Sequence, residues 1–285
     1  MMSIQLASLI SDNLKIFSLP SIFLRLNNAV NDLRSSVTDI GNIISEDQGL
    51  TARILKLANS PLYGFPSKIE TISKAVLIIG TKQIRDLTLA TSIIRVFEGI
   101  PENLITMETF WRHSIACGVI ARIIAGYRRE PNVETFFTAG ILHDIGRLIM
   151  YAKMPAECRD ILSQIAKQPQ LLFKVERESL GFNHTDVGGL LLKQWKLPQD
   201  LMEAVANHHN PDKALQYPVE AAAVHVADIL AHALQLGNSG EKYIPRLSEE
   251  AWAKLSFQTS MLPFLFKQGL QHVDIAMQII LPSKK

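Results

Sequence analysis

The segment GILHDIGRLIM, residues 140–150, places His143 and Asp144 side by side inside an apolar run. A buried charge without a partner is costly, so an imidazole and a carboxylate there point to chemistry or to a bound ion. Four further places carry residues of the same kind: His113 in FWRHSIACG, His184 in GFNHTDVGG, His208-His209 in VANHHNP and Asp228 in VHVADIL. Imidazole and carboxylate together suit iron, manganese or zinc. Neighbouring residues on a helix point about 100° apart, so His143 and Asp144 can both reach one cleft. A carboxylate can bridge two metals, and a metal pair about 3.5–4 Å apart is a standard device for phosphate-ester hydrolysis. Taken singly, each residue has an ordinary structural reading: a packed histidine at 113, a helix start at 184, a helix end at 208–209, a capping or paired carboxylate at 228. The argument for a site lies in the set of seven.

Helices must position these residues. Apolar residues recur three and four apart along 37–58, at Val37, Ile40, Ile43, Ile44, Leu50, Ile54 and Leu57. Thr71 or Ser73 can cap a helix through Ile79, Gly80 ends it, and Thr81 can cap the next, to about Phe97. Further helices are expected at 104–126, 133–152, 155–167, 170–180, 184–195, 198–208, 217–236, 248–256 and 262–279. An amphipathic helix is expected at the N-terminus. No stretch alternates with period two, and the predicted fold is all-α. Pro101 breaks the chain near 100, and Gly237-Asn238-Ser239-Gly240 reads as the clearest flexible loop. The chain therefore divides into 1–100, 101–236 and 237–285. All eight histidines fall between 113 and 272, which assigns metal chemistry to the middle segment.

Composition narrows the function classes. There are 29 Lys+Arg against 27 Asp+Glu, a net charge of +2, with no basic stripe to suggest direct nucleic-acid binding. Two cysteines make neither a disulfide framework nor a Cys-rich zinc site. No secretion signal or apolar span is expected, and the location expected is the cytoplasm. Gly188-Gly189 reads as a close helix contact, Arg128-Arg129 and Lys284-Lys285 as solvated ends, and Lys82 and Arg85 as a solvated helix face. The apolar tail, with Trp252, Phe257 and Leu265, is expected to pack on the core.

The order H…HD…H…HH…D resembles the HD superfamily of metal-dependent phosphohydrolases, and most closely its HDOD branch, the HD-related output domain of bacterial signalling proteins. The likeness runs from about Leu19 to Asp228. Its most diagnostic part is NSPLYG, Asn59 to Gly64, followed by Ile69, Ile72, Ala75 and Gly80; FWRHS, AGILHDIGRL, ERESLGFNHTDVGG and ANHHNP then follow in order. The resemblance implies an HD-like bundle with an N-terminal helical subdomain. It makes His113, His143, Asp144, His184, His208, His209 and Asp228 the metal ligands, for a divalent ion with iron or manganese ahead of zinc. Arg147 stands where the HD-GYP phosphodiesterase branch has a lysine, and would contact a substrate phosphate. Tyr217-Pro218 lacks the preceding glycine of that branch, which speaks against cyclic-dinucleotide hydrolysis. Two functions follow as expectations. The first is a signalling output domain that binds a partner protein or a small nucleotide-like ligand. The second is a metal-dependent phosphohydrolase.

Overall fold

The computed structural model describes residues 18–97, 100 and 104–281, together with Leu6 and Leu9. The expected N-terminal amphipathic helix, the break at 101–103 and Lys284-Lys285 lie outside the described residues. Everything regular among them is helical: α1 Ser21–Asn31, α2 Val37–Ser45, α3 Gln48–Ala58, α4 Ile72–Ile79, α5 Thr81–Ser92, α6 Met107–Arg128, α7 Val133–Leu142, α8 Ile145–Lys153, α9 Pro155–Lys167, α10 Leu172–Leu180, α11 His184–Gln194, α12 Gln199–Asn207, α13 Pro218–Ala233, α14 Glu249–Leu255 and α15 Leu262–Ile280, with short 3-10 turns between some of them. The fold is all-α.

Local chemistry sets many boundaries. Ser36 and Asp39 form a reciprocal capping box at α2. The apolar pattern over 37–58 is two helices, because Asp47 caps α3 by accepting from the Leu50 amide. Thr71 caps α4. Gly80, at φ +105°, both ends α4 and precedes α5, so Thr81 is the first helical residue and makes no cap. The tightest departure is at the metal motif. The pattern predicts one helix over 133–152, but the chain turns at His143-Asp144 and restarts at Ile145. Asp144 sits at the N-cap of α8 without capping it, because its carboxylate is directed elsewhere.

Helix α6 is the centre of the packing, against α7, α13 and α15. Its 22 residues are buried on most sides, which is why it shows little amphipathic contrast. One apolar core runs continuously from Leu19 to Ile280, and the C-terminal tail packs into it through Leu255, Phe257, Leu265 and Val273. Arg128 is therefore not a solvated end: it donates to the carbonyls of Leu255 and Lys254 and ties α6 to the tail.

The NSPLYG segment docks the first half on the second. The Asn59 side chain donates to the Ile69 carbonyl and accepts from the Ile69 amide, both at 2.8 Å. Arg122 on α6 donates to the Leu62 carbonyl, pairs with the buried Glu134 of α7 at 3.0 Å, and stacks over the Tyr63 ring. Gly237-Asn238-Ser239-Gly240 is a second such anchor and not a flexible loop. Ser239 is fully buried, holding Arg147 through its hydroxyl and Tyr151 through its carbonyl, and the Asn238 amide donates to Thr109.

Candidate metal centre

The seven sequence-predicted residues converge in the middle of the bundle. His113 comes from α6, His143-Asp144 from the turn between α7 and α8, His184 from the first position of α11, His208 and His209 from the end of α12, and Asp228 from α13. Their ligand-type atoms form three overlapping groups, each within 4.8 Å: His143, Asp144 and His208; His113, His143 and Asp228; His184, His208 and His209. Every expected ligand belongs to at least one group.

Which nitrogen each ring offers is set by its neighbours. His143 Nδ1 donates to the Gly140 carbonyl at 2.7 Å, and His208 Nδ1 to the Val205 carbonyl at 2.9 Å. His184 Nδ1 donates to Glu176 Oε2 at 2.6 Å. With Nδ1–H committed, Nε2 keeps its lone pair, and this outer hydrogen bond is the usual support of a metal-binding histidine. Two of those Nε2 atoms close on a carboxylate, His143 and His184 lying 3.2 and 3.1 Å from Asp144; His113 Nε2 lies 3.1 Å from Asp228, while its Nδ1 is buried without a partner. Yet His143 Nε2 and Asp144 Oδ1 are buried without a hydrogen bond of acceptable geometry, and both ring nitrogens of His209 are buried and unpartnered. Orphaned donors and acceptors aimed at one another are rare in a finished core, and a bound cation explains them.

The electrostatics agree for five of the seven groups. Burial raises the Asp144 carboxyl, but Arg147 and His143 outweigh it and hold it well below the usual range. Asp228 is likewise held well below by His232 and His113 against burial. Burial pushes His113 down to about 4, and pushes His208 and His209 well below their usual value. Ionised carboxylates and neutral imidazoles are the forms that bind metal. His143 and His184 depart from this: against burial Asp144 raises His143 well above its usual value, and against burial and Arg147 the Glu176 and Asp144 carboxylates raise His184, so metal binding there displaces protons. The residues present therefore fit a divalent ion.

Arg147 sits in other surroundings than a phosphate contact needs. Its guanidinium is 1% exposed and is taken up by Asp144 at 3.3 Å, Glu176 at 3.7 Å and the Ser239 hydroxyl at 2.6 Å. It balances the carboxylates behind the ligands. Sequence reasoning missed two participants. Glu176 fixes the His184 ring and accepts its backbone amide as well. His232, one turn beyond Asp228, lies 3.3 Å from that carboxylate, with its ring tilted 39° to that of His113 at a centroid distance of 4.3 Å. Of the two, the i,i+4 spacing of Asp228 and His232 was visible in the sequence. Glu176→Gln is expected to weaken metal binding by about 10–100-fold while leaving the fold intact, measured by competition with a chelating dye; unchanged affinity would mean that Glu176 does not set the ring.

The HDOD domain model matches residues 16–211, well over half of the chain. The chain belongs to the HDOD family. This HDOD domain is 25% identical over 248 residues to an uncharacterized protein of Treponema pallidum (strain Nichols), an alignment covering 85% of this chain and 47% of that protein. The chain thus spans less than half the length of that relative. Among solved structures, an HDOD domain protein of unknown function from Geobacter sulfurreducens superposes with a TM-score of 0.77 at 23% identity, covering 99% of this chain and 100% of that one. A candidate phosphohydrolase from Shewanella amazonensis SB2B gives 0.71 at 24% identity, covering 96% and 97%. At these identities the likeness is one of fold. No helix among the described residues is long and apolar enough to cross a membrane.

Proposed function

We propose that this HDOD domain is a signal-transduction output domain built around an intact divalent-metal centre, with iron or manganese preferred to zinc, which acts by binding a signalling partner. The observation that carries this reading is enclosure. His113, His143, His184 and His208 are fully buried, and Asp144 and Asp228 nearly so. Arg147, the group best suited to a substrate phosphate, is spent inside the site. A metal held this way by four separate helices and one turn cross-links the bundle, so loading and loss change the shape and rigidity that a partner meets.

A second reading, metal-dependent phosphoester hydrolysis, is favoured by one feature. His209 also lines a surface cavity of about 390 Å³, a size that suits a small phosphoester at the edge of the centre, although Asp212, Glu249 and Glu250 line it beside Arg246. When bound, the metal would supply Lewis acidity and an activated water. This chain's residues would contribute the ligand set, with Glu176 and Arg147 orienting His184 and Asp144.

One experiment separates the two. Manganese- or iron-loaded protein is incubated with nucleotides, cyclic dinucleotides and bis-p-nitrophenyl phosphate, beside chelator-treated protein. The output reading expects no turnover above the chelated control. Metal-dependent turnover of any of these would overturn it in favour of the hydrolase.

A further inference from the structure

A larger cavity lies away from the metal centre, where the first half of the chain meets the second. Its volume is about 590 Å³, within the range of small-molecule sites, and none of its lining residues belongs to the metal set. Asn27 and Asn31 of α1 and Lys82, Gln83 and Arg85 of α5 form one side. The turn before α7, the Lys196–Pro198 link and Asp200 form the other. Lys82 and Arg85, expected on a solvated helix face, thus line a cleft, and Arg85 is buried.

The floor of this cleft is built. Arg85 donates Nε to Asp86 Oδ1 at 2.8 Å, with Nη2 at 2.7 Å from the same oxygen. Asp86 Oδ2 accepts from Asn132 Nδ2 at 3.0 Å and from Thr135 Oγ1 at 3.2 Å. This network fixes Arg85 and orients the Asn132 amide, whose Oδ1 is buried with no hydrogen-bond partner. Asn132 also stands at the N-cap of α7 without capping it, which leaves the amides of the first turn without a side-chain acceptor. Above the floor, Lys82 and Lys196 are exposed, and neither has an ion-pair partner among the described residues. Lys196 is held at φ +54°, a left-handed conformation uncommon for lysine, by the turn between Trp195 and Pro198.

The cleft therefore offers two unpaired cations, Lys82 and Lys196, above an Arg85 already paired with Asp86, and an unused helix start, against one lining carboxylate, Asp200. That combination calls for a ligand with an anionic group. The volume is too small for a folded partner and suits one phosphorylated metabolite. We propose that the cleft lined by Lys82, Arg85, Lys196 and Asn132 is a second ligand site of this protein, separate from the metal centre, which takes a phosphomonoester of roughly mononucleotide size. The phosphate sits between Lys82 and Lys196, over the Arg85 guanidinium that Asp86 holds. Helix α7 runs from this cleft to His143, so the two sites share one rigid element.

The test is isothermal titration of the whole chain with AMP and with glucose 6-phosphate, in buffer containing EDTA so that no metal contributes. Adenosine and glucose are the uncharged controls. At least one phosphomonoester is expected to bind, with its uncharged counterpart at least about tenfold weaker. Lys82→Gln and Lys196→Gln, both at exposed positions that the fold does not need, are each expected to weaken binding about tenfold. His208→Ala, which disables the metal centre, is expected to leave it unchanged, so this site and the proposed function fail separately. Absence of binding by both phosphomonoesters would overturn the assignment. So would undiminished binding in the double glutamine variant with an unaltered melting temperature. Tighter binding of a short single-stranded RNA than of AMP, lost in the same variant, would replace the small-molecule site by a polymer surface.

Discussion

Asp144→Ala protein purified without chelator is expected to hold no stoichiometric divalent metal, and to unfold about 3–5 kcal/mol more easily than the wild type. The two losses have different causes. Asp144 is the carboxylate on which His143, His184 and Arg147 all close, at 3.2, 3.1 and 3.3 Å. Without it, one of the three ligand groups loses its only anion. Its removal also leaves the Arg147 guanidinium buried with Glu176 as its remaining carboxylate, at 3.7 Å. An uncompensated buried charge is what makes the breaking of such a pair expensive. His208→Ala separates the effects. His208 is neutral, since burial together with His143 and His184 holds its imidazole well below the usual value. Its loss should cost the metal while removing no counter-charge, leaving a smaller stability deficit from the cavity. Metal is read by elemental analysis and stability by urea denaturation of chelated samples. If Asp144→Ala keeps its metal, the carboxylate is not a ligand. If both chelated variants are equally destabilised, the charge argument for Arg147 is wrong.

The order of the candidate metal set was legible only as a whole, because each member taken singly has an ordinary structural reading. Their convergence was not, since it depends on how five segments cross. Glu176 illustrates the limit. In LFKVERESL it is one charge among several on a short helix and reads as solvated. Only the crossing of α10 with the start of α11 brings it under His184. Most helices were likewise visible as a 3.6-residue pattern. The turn at His143-Asp144 was hidden because apolar residues continue in helical phase through it, and nothing local marks it once Asp144 gives up its capping role. The glycine-rich loop failed for the opposite reason. Gly237-Asn238-Ser239-Gly240 has the composition of a flexible link, and φ values of +84° and +112° do require its glycines. Its rigidity comes from partners far away in sequence, Thr109, Arg147 and Tyr151. Arg85 was misplaced on similar grounds: its partner Asp86 is anchored by Asn132 and Thr135 of the second half.

Gly146→Ala should be among the most damaging single methyl groups that can be added to the described residues. The expected cost is about 3 kcal/mol or more, beyond ordinary overpacking, with metal affinity falling in parallel. A Cβ on Gly146 would lie 2.0 Å from the His184 carbonyl oxygen and 2.8 Å from the Gly188 amide nitrogen. These are backbone atoms, so no side chain can swing away, and α8 and α11 must move apart. Gly188 and Gly189 carry the same close approach onward, towards Val205 and Ala206 of α12. That separation matters because α8 follows directly from His143-Asp144, while α11 begins with His184 and packs on the helix that ends at His208. The glycine contact is therefore what sets the distance between ligands on different helices. Gly126→Ala is the matched control. It lies in α6 with nothing within 4 Å of its added Cβ, so the exchange should be neutral or stabilise by about 0.5–1 kcal/mol. Denaturation midpoints and metal titration of the two variants, side by side, check the claim. A Gly146→Ala protein that loses stability yet binds metal with wild-type affinity would show that the ligand set tolerates the helices moving apart, and that its geometry is held by the outer hydrogen bonds of Glu176, Gly140 and Val205 instead.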